Sequence, residues 1–299
     1  MPDPTCSVVG VGEILWDLLP DGPRLGGAPF NAIVHLGRFG CRTAFVSAVG
    51  RDELGQRALA EATRLGVGTD LIEVNDQPTG VVRVELDEAG VPDYHIVSPA
   101  AYETRERLPP DRAVDGAIDL VVFGTLAQRF EGPRAALQQI VEANQGAARL
   151  FDVNLRRGCW DPPLVERLLG LATVVKLNQD EQATLAETFG LPMAPTERFM
   201  RTACDRFELR GACMTRGDAG AALLLDDVYR EAPAPRVDVV DTVGAGDAFT
   251  AGLGYGLIHS WTVSEILSVA TRLGAFVASR AGALPEWDAT DIGITGALI

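Results

Sequence analysis

The segment from Val237 to Tyr255, V-D-V-V-D-T-V-G-A-G-D-A-F-T-A-G-L-G-Y, contains residue types that can hold an anion and move a proton. A run rich in β-branched residues ends at Thr242, a turn of small residues follows, and an apolar segment with helical spacing comes next. This order predicts that the backbone N–H groups of Gly244, Ala245 and Gly246 lie at a helix N-terminus. Unpaired donors and the helix dipole make such a position an anion site.

The carboxylate of Asp247 directly follows this turn and has two interpretations. Aspartate is common at the start of a helix, so its role could be limited to capping. Beside a bound phosphate, the same carboxylate can act as a general base that takes the proton from an attacking hydroxyl. The second interpretation predicts phosphoryl transfer.

A second glycine-rich motif, G-G-A-P-F-N-A-I-V-H-L-G-R-F-G, extends from Gly26 to Gly40. Gly26 and Gly27, followed by Pro29, fit a tight turn with proline in the first turn of a helix. This helix has an apolar stripe, whereas Asn31 is polar, near the helix start and close to the glycines. Asn31 is therefore a candidate binding residue.

These two motifs resemble the two signatures of the ribokinase-like (PfkB) family of carbohydrate kinases. D-T-V-G-A-G-D-A-F is similar to the family's C-terminal signature, and the segment from Gly26 to Gly40 is similar to its N-terminal signature. The resemblance implies an ATP-dependent sugar kinase, with Asp247 as the base and the Gly244–Gly246 amides as the anion hole. It also implies ATP and Mg²⁺ as cofactors, with K⁺ as a further cation in many relatives.

Three shorter motifs resemble the fructokinase branch of that family. They are G-E-I-L-W-D near the start of the chain, G-T-L-A-Q-R at Gly124–Arg129, and D-V-N-L-R. They imply a ketohexose such as fructose as the acceptor. Because a few contacts decide sugar choice, the alternative within the fold is a kinase for a nucleoside, a keto-deoxy sugar acid or a sugar phosphate.

The resemblance also implies a set of sugar ligands. Asp17 and Asn31 would bind sugar hydroxyls together with Asn154, while Gly26 and Gly27 let the backbone approach the substrate. A short carboxylate suits a vicinal diol because it accepts two hydrogen bonds.

The segment Asp152-Val153-Asn154-Leu155-Arg156 resembles the family's D-x-N-x-R motif. Arg156 then becomes the candidate cation for the transferred phosphoryl group, since no lysine is available for that role. A surface ion pair is the alternative role of Arg156.

The nucleotide side is implied by two further segments. Asn178 and Glu181 match the family's N-x-x-E motif, in which Glu181 would reach Mg²⁺ through water. The same two residues are close to a capping box, and the sequence does not separate the two roles. Thr215 and Gly217 lie in a segment that resembles the nucleotide loop, although a plain β-turn would also suit Gly217. Asp241, with backbone carbonyls near residues 280–282, resembles the monovalent-cation site of many relatives.

Composition excludes several other classes of protein. The 299 residues carry a net charge of −15, which argues against a surface for nucleic acid or anionic membrane. Lys176 is the only lysine among the 26 basic residues, so a Walker A loop is absent. The five cysteines are odd in number and widely spaced, so neither a disulfide framework nor a zinc site is predicted. No apolar run approaches the length of a membrane span, and we expect a cytoplasmic protein.

Two alternatives come from other functional classes. A dinucleotide-dependent oxidoreductase would use Gly10-Val11-Gly12 or Gly244-Ala245-Gly246 as the start of its fingerprint. Leu15 and Phe249 occupy the third glycine positions, so the close helix–strand contact of that fingerprint is lost. A non-catalytic sugar sensor on a kinase fold is the other alternative, and an intact Asp247 speaks against it.

The elements that must position these residues alternate between strands and helices. Predicted strands at 120–124, 150–154 and 173–178 are followed by predicted helices at 134–143, 163–171 and 181–189. This alternation predicts one α/β domain over residues 1–299, with a mostly parallel, doubly wound sheet of ribokinase-like type. Ligands then lie beyond the strand ends, where Asp17, Asn154, Asn178 and Thr215 are predicted. Asp17 would follow a first buried strand at Ser7–Leu15.

A predicted hairpin stands apart from this alternation. Residues 79–86 and 92–97 alternate between apolar and charged side chains on either side of a turn at 87–90, which predicts one face in water. Segments at about 14–26 and 79–103 are predicted to form a small β-sheet lid. The family resemblance implies that such a lid closes over the sugar and pairs with the lid of another subunit in a homodimer.

Overall fold

The computed structural model describes residues 6–19, 22–86, 92–106, 108 and 118–294 of the chain. The strands are β1 (Ser7–Val11), β2 (Leu15–Leu19), β3 (Gly22–Gly26), β4 (Arg42–Gly50), β5 (Ile72–Asn75), β6 (Gly80–Leu86), β7 (Pro92–Ile96), β8 (Leu120–Gly124), β9 (Ala148–Asp152), β10 (Val174–Asn178), β11 (Gly211–Thr215), β12 (Ala221–Leu225) and β13 (Val228–Ala232). The helices are α1 (Ala28–Arg38), α2 (Glu53–Arg64), α3 (Glu131–Ala143), α4 (Pro162–Leu171), α5 (Gln179–Phe189), α6 (Thr196–Phe207), α7 (Ala245–Ile258) and α8 (Val263–Ala278).

Within these residues, nine strands form one large sheet in the order β13-β12-β11-β10-β9-β8-β1-β4-β5. Neighbouring strands from β11 to β5 run parallel, whereas β12 and β13 are antiparallel at one edge. The predicted doubly wound, mostly parallel sheet is confirmed. Its parallel strands all place their carboxyl ends at the same edge.

Helices cover both faces of this sheet because its central strands are apolar on both sides. On one face α1, α7 and α8 pack around Phe30, Phe249 and Leu273. On the other face α3 to α6 pack around residues such as Leu137 and Met200. No helix in the described part of the chain is long and apolar enough to cross a bilayer. The cytoplasmic location stays a prediction.

A separate four-stranded sheet has the order β3-β2-β6-β7. β2 pairs in parallel with β6, and the other two pairs are antiparallel. The antiparallel pairing of β6 with β7 is the one that the predicted hairpin requires. The predicted turn at 87–90 lies outside the described residues, and so do residues 20 and 21, which precede β3.

The prediction of one strand over Ser7–Leu15 is wrong. β1 ends at Val11, and β2 begins at Leu15 in the small sheet. The break falls where Gly12 lies so close to Pro29 that an added Cβ would be 2.7 Å from the proline ring. Asp17 therefore lies within β2 of the small sheet and not at the end of a strand of the large one.

The β-branched run that ends at Thr242 forms no strand. The N–H groups of Val240 and Asp241 both donate to the carbonyl of Ala278 at the end of α8, at 2.9 and 3.2 Å. Val239 and Val240 are each 64% exposed, so the alternation of valine and aspartate does not bury one face. The run forms a loop between β13 and α7.

Cys6 and Cys41 are joined by a disulfide bond, contrary to the prediction from cysteine spacing. The parallel pairing of β1 with β4 sets Ser7 opposite Arg42, so the two preceding residues lie side by side. Spacing along the chain carries no information about this pairing.

Candidate active site

The turn before α7 presents open backbone donors. Gly244 is the N-cap of the helix, its φ of 77° lies in the left-handed region, and no side chain caps the helix. Ala245 donates to the carbonyl of Thr242, whereas the N–H groups of Gly246 and Asp247 have no acceptor among the described residues. The predicted helix N-terminus is therefore present, with at least two donors free to bind an anion.

A C-terminal segment supports this turn from behind. An added Cβ at Gly244 would collide with Ala283. His35 of α1 holds that segment, because its Nε2–H donates to the Ala283 carbonyl at 3.0 Å while its Nδ1 accepts from Trp287 Nε1 at 2.9 Å. Burial, together with the charge of Arg38, lowers the pKa of His35 to about 3, so the imidazole is neutral in both contacts.

Asn31 and Asp247 bring the two glycine-rich motifs together. Asn31 Nδ2 donates to Asp247 Oδ2 at 2.8 Å, although the two residues are 216 positions apart. Asn31 is buried, and its Oδ1 has no hydrogen-bond partner in the described part of the chain. One amide thus orients the predicted base and keeps an acceptor for another group.

Asp247 as a whole residue is half-buried, but burial is the main influence on the pKa of its carboxyl group. Burial, and then the charge of Asp152, raises the pKa of Asp247 to about 6. The hydrogen bond from Asn31 and the charges of Lys176 and Arg156 act in the opposite direction. A pKa just below neutrality suits a general base because the group is ionised at neutral pH and still accepts a proton readily.

The predicted sugar-side glycines lie against Glu13 and Asp17. Gly27 has a φ of 124°, and a Cβ there would collide with the carbonyl of Glu13. An added Cβ at Gly26 would be 3.2 Å from Asp17 Oδ2. Glu13 Oε1 accepts from Ala28 N–H at 3.2 Å, and its Oε2 has no partner among the described residues. Burial raises the pKa of Glu13 to about 7 and also raises that of Asp17.

Arg156 is the cation that these carboxyl groups share. Its charge lowers the pKa of Glu13, Asp17 and Asp247, each against the larger effect of burial. The residue is exposed and forms no ion pair within the described ranges. Asn154, two positions before it, has a φ of 38° in a loop after β9. The guanidinium is therefore close enough to act on the site and remains available to a ligand.

Lys176 is a site residue that motif analysis did not identify. Its Nζ lies 3.0 and 3.1 Å from the two carboxylate oxygens of Asp152, and both residues are buried. Thr250 Oγ1 lies 2.7 Å from Asp152 Oδ2 and 2.9 Å from the carbonyl of Gly246. The available signal was a single charged residue inside the apolar strand V-V-K-L-N.

Asn178 and Glu181 form the capping box at the start of α5. Asn178 Oδ1 accepts from Glu181 N–H, and Glu181 Oε2 accepts from Asn178 N–H, both at 2.9 Å. Glu181 Oε1 also accepts from Leu155 N–H at 2.9 Å, which ties this helix to the loop after β9. No three carboxylate, imidazole or thiol groups of the described residues cluster as a metal site. The magnesium role of Glu181 stays a prediction.

The remaining nucleotide-side candidates lie at the same edge of the sheet. Thr215 ends β11 directly opposite Asn178 of β10. Gly217 follows it with a φ of 58° and open space where a Cβ would be. Asp241 accepts from the N–H groups of Val243 and Gly282, both at 3.0 Å, and its Oδ2 lies 3.9 Å from an Arg24 nitrogen. Its carboxylate thus joins the loop before α7 to the segment after α8.

Comparison with known proteins covers most of the chain. Residues 23–289 match the pfkB family carbohydrate kinases. The chain is 31% identical over 288 residues to a fructokinase from Klebsiella pneumoniae, covering 92% of this chain and 91% of that protein. It is 30% identical over 298 residues to an aminoimidazole riboside kinase from Salmonella typhimurium, covering 92% and 89%.

A solved structure shows the same likeness in three dimensions. A double mutant of fructokinase from Vibrio cholerae O395, in a form with bound fructose, ADP and potassium ion, superposes with a TM-score of 0.80. The two sequences are 25% identical, and the match covers 95% of this chain and 96% of that one. The likeness therefore includes both sheets and the helices between them.

Proposed function

This chain belongs to the pfkB family of carbohydrate kinases, and from that premise we propose that it transfers the γ-phosphoryl group of ATP to a hydroxyl of a ketohexose such as fructose. The family predicted from the two glycine-rich motifs is confirmed. Membership makes the protein a phosphotransferase that acts on an alcohol group, which replaces the oxidoreductase alternative. The identity of the sugar and the role of each residue are the proposed part.

The proposed mechanism depends on one observation. Asn31 Nδ2 donates to Asp247 Oδ2 at 2.8 Å and so holds this carboxylate directly beside the open N–H groups of the turn before α7. A helix start without a cap supports an anion there, and the neighbouring carboxylate supports a base at the same place. Capping alone does not account for Asp247, since α7 has no side-chain cap.

The proposed reaction is a direct displacement at phosphorus. The sugar oxygen forms a bond to the γ-phosphorus as the bond from that phosphorus to the ADP oxygen breaks, and the proton of the hydroxyl passes to Asp247. The amides of Gly246 and Asp247, with Arg156, stabilise the charge on the transferred group. Because the pKa of Asp247 is about 6, the base is ionised at neutral pH.

The sugar would be held by groups that have unused hydrogen-bonding capacity. Asn31 Oδ1 accepts, the carboxylate of Asp17 accepts from two hydroxyls, and Gly26 and Gly27 would bring backbone groups to the substrate. Asn154 would contribute from the loop after β9. We propose that the small sheet, which carries Asp17 on β2, closes over the sugar as a lid and forms the contact of a homodimer.

The nucleotide would lie along the ends of β10 and β11. Asn178 and Thr215 are neighbours there, and Gly217 offers an open backbone. The oxygens of Glu181 each accept one backbone N–H and keep further lone pairs, which suits a carboxylate that reaches Mg²⁺ through water. When bound, Mg²⁺ neutralises phosphate charge. Asp241 is the corresponding candidate for K⁺.

A panel of acceptors in a coupled ADP-release assay tests the substrate. The panel contains fructose, other ketohexoses and aldohexoses, a keto-deoxy sugar acid, sugar phosphates, and nucleosides including aminoimidazole riboside. Fructose is expected to give the highest kcat/KM. A kcat/KM that is higher for a nucleoside than for fructose would instead assign a nucleoside as the acceptor. One relative of 30% identity is a kinase of aminoimidazole riboside. No ADP release with any member would contradict the proposed function.

A further inference from the structure

Lys176 is a buried charge that the proposed reaction does not use. The parallel pairing of β9 and β10 sets it opposite Asp152, and its Nζ contacts both carboxylate oxygens. Net stabilisation from a buried ion pair is small, because the cost of removing two charges from water offsets their attraction. Stability alone is therefore a weak reason for a single lysine in an otherwise apolar strand.

We propose that Lys176 is a positioning residue of the phosphoryl-transfer site: through Asp152 and Thr250 it fixes the first turn of α7, and its charge offsets the carboxylates that face the base. This inference rests on the proposed kinase mechanism and deepens it. Lys176 acts on Asp247 through other groups and need not touch the substrate.

The contacts form a continuous path from Lys176 to the turn. Asp152 accepts from Lys176 and lies 2.7 Å from Thr250 Oγ1, which in turn lies 2.9 Å from the Gly246 carbonyl. A Cβ added at Gly246 would be 3.2 Å from Lys176 Nζ. The ammonium thus lies directly under the residue that precedes the base, and glycine leaves the room for it. A compact ammonium suits this space better than the broader planar guanidinium of arginine.

The charges around Asp247 explain how the Lys176 ammonium affects the protonation of this base. Five residues from four parts of the chain face Asp247: Glu13, Asn31, Asp152 with Arg156, and Lys176. The charge of Asp152 raises the pKa of Asp247, and that of Lys176 lowers it. Without Lys176 the charge of Asp152 would be unbalanced, and more of the base would be protonated at neutral pH.

Kinetics of matched variants test the inference with the acceptor that the wild-type protein phosphorylates best. Lys176→Met is expected to lose about 10²-fold in kcat, because the turn is displaced, while the KM of the sugar stays near wild type. The acidic limb of its kcat/KM profile is expected to move up by about one pH unit. Lys176→Met combined with Asp152→Asn removes both charges. The acidic limb of the kcat/KM profile of this double variant is therefore expected to return towards the wild-type pH, while its kcat stays low.

The second measurement does not depend on activity. Full-length protein labelled with ¹³C at the aspartate carboxyl carbons is titrated by NMR, with the Asp247 signal assigned from Asp247→Asn. The Asp247 midpoint is expected at higher pH in Lys176→Met than in wild type. A wild-type protein that phosphorylates no acceptor, together with a raised midpoint in the variant, would contradict the kinase proposal and support the coupling of Lys176 to Asp247.

Three results would overturn the inference. The first is a kcat and an acidic limb of wild-type value in folded Lys176→Met. The second is a loss of kcat that follows loss of folded protein, with the Asp247 midpoint unmoved. If Lys176→Met does not fold, Thr250→Val tests the path, because it removes the hydroxyl that contacts both Asp152 and the Gly246 carbonyl. The third result is a wild-type kcat in that variant.

Discussion

The starts of α5 and α7 lie at the same edge of the sheet and are built in opposite ways. α5 begins with a capping box in which Asn178 and Glu181 satisfy each other's backbone donors. α7 begins at the left-handed Gly244 without a side-chain cap, and the N–H groups of Gly246 and Asp247 remain open. A helix start that is capped by its own side chains has those donors satisfied, whereas an uncapped helix start leaves donors that an anion can satisfy.

The acidic groups beside the two helix starts also differ. Both oxygens of the Glu181 carboxylate accept a backbone N–H, so this group ties α5 to the loop after β9 and keeps only its further lone pairs for the proposed contact with Mg²⁺ through water. The carboxylate of Asp247 receives one side-chain hydrogen bond and stays near the open turn. The two acidic residues, each in the first turn of a helix, therefore differ in the donors that they meet.

The largest effect is expected at Asp247. Asp247→Asn keeps the shape of the side chain and can still accept from Asn31, but it cannot take a proton. We expect turnover to fall by about 10²- to 10⁴-fold while sugar binding survives. Steady-state kinetics and isothermal calorimetry with the sugar check this. Asp180→Asn, in the first turn of α5, is the matched control and should keep turnover. Turnover near wild type in Asp247→Asn would show that Asp247 is not the base.

A smaller effect is expected from the backbone of the open turn. Gly244→Ala places a side chain at a φ of 77° and against Ala283. Gly190→Ala, at the end of α5, has a similar φ of 64° and open space around the Cβ. Gly190→Ala should lower the free energy of unfolding by about 1–2 kcal/mol, as expected for a left-handed residue. Gly244→Ala should lower it by more, because its side chain also meets Ala283. Only Gly244→Ala should also lose about 10²-fold in kcat, because the donors move.

Urea unfolding and kinetics on the same preparations separate the two contributions in these glycine variants. Equal losses of kcat in Gly244→Ala and Gly190→Ala would show that the turn before α7 has no special role in turnover.

The smallest effect is expected at the start of α5. Asn178→Asp keeps the cap, since both residues are good N-caps, but adds a negative charge where the phosphates are predicted. We expect unchanged stability and an ATP KM raised about fivefold, equivalent to about 1 kcal/mol of repulsion in water. Asn178→Ala should instead lower the free energy of unfolding by about 1 kcal/mol. An unchanged ATP KM in Asn178→Asp would assign Asn178 to capping alone.

Much of this site could be predicted because the motifs combine local geometry with chemistry. The glycines before α7, the proline after Gly27 and the alternation of strands with helices each depend on neighbouring residues. The turn before α7 and the parallel sheet were predicted correctly for this reason. The bond from Asn31 to Asp247 was not predicted, since it depends on how α1 packs against α7.

The errors have the same physical origin. Whether Lys176 meets Asp152, and whether Cys6 meets Cys41, is decided by the register of neighbouring strands, which single-chain patterns do not encode. The run before Gly244 has residues that favour strands, but its backbone donors go to the end of α8. Asp17 was predicted at the end of the first strand, but the chain leaves β1 at Gly12 and Asp17 lies in β2, within the segment predicted to form the lid.

The support of Gly244 by Ala283 has a consequence for the order of folding. The segment from Ala283 to Trp287 follows every described strand of the large sheet in the sequence. The turn that would bind phosphate lacks its rear wall until this segment packs against α1 through His35. The large sheet and its helices can therefore assemble before the proposed phosphate site is complete.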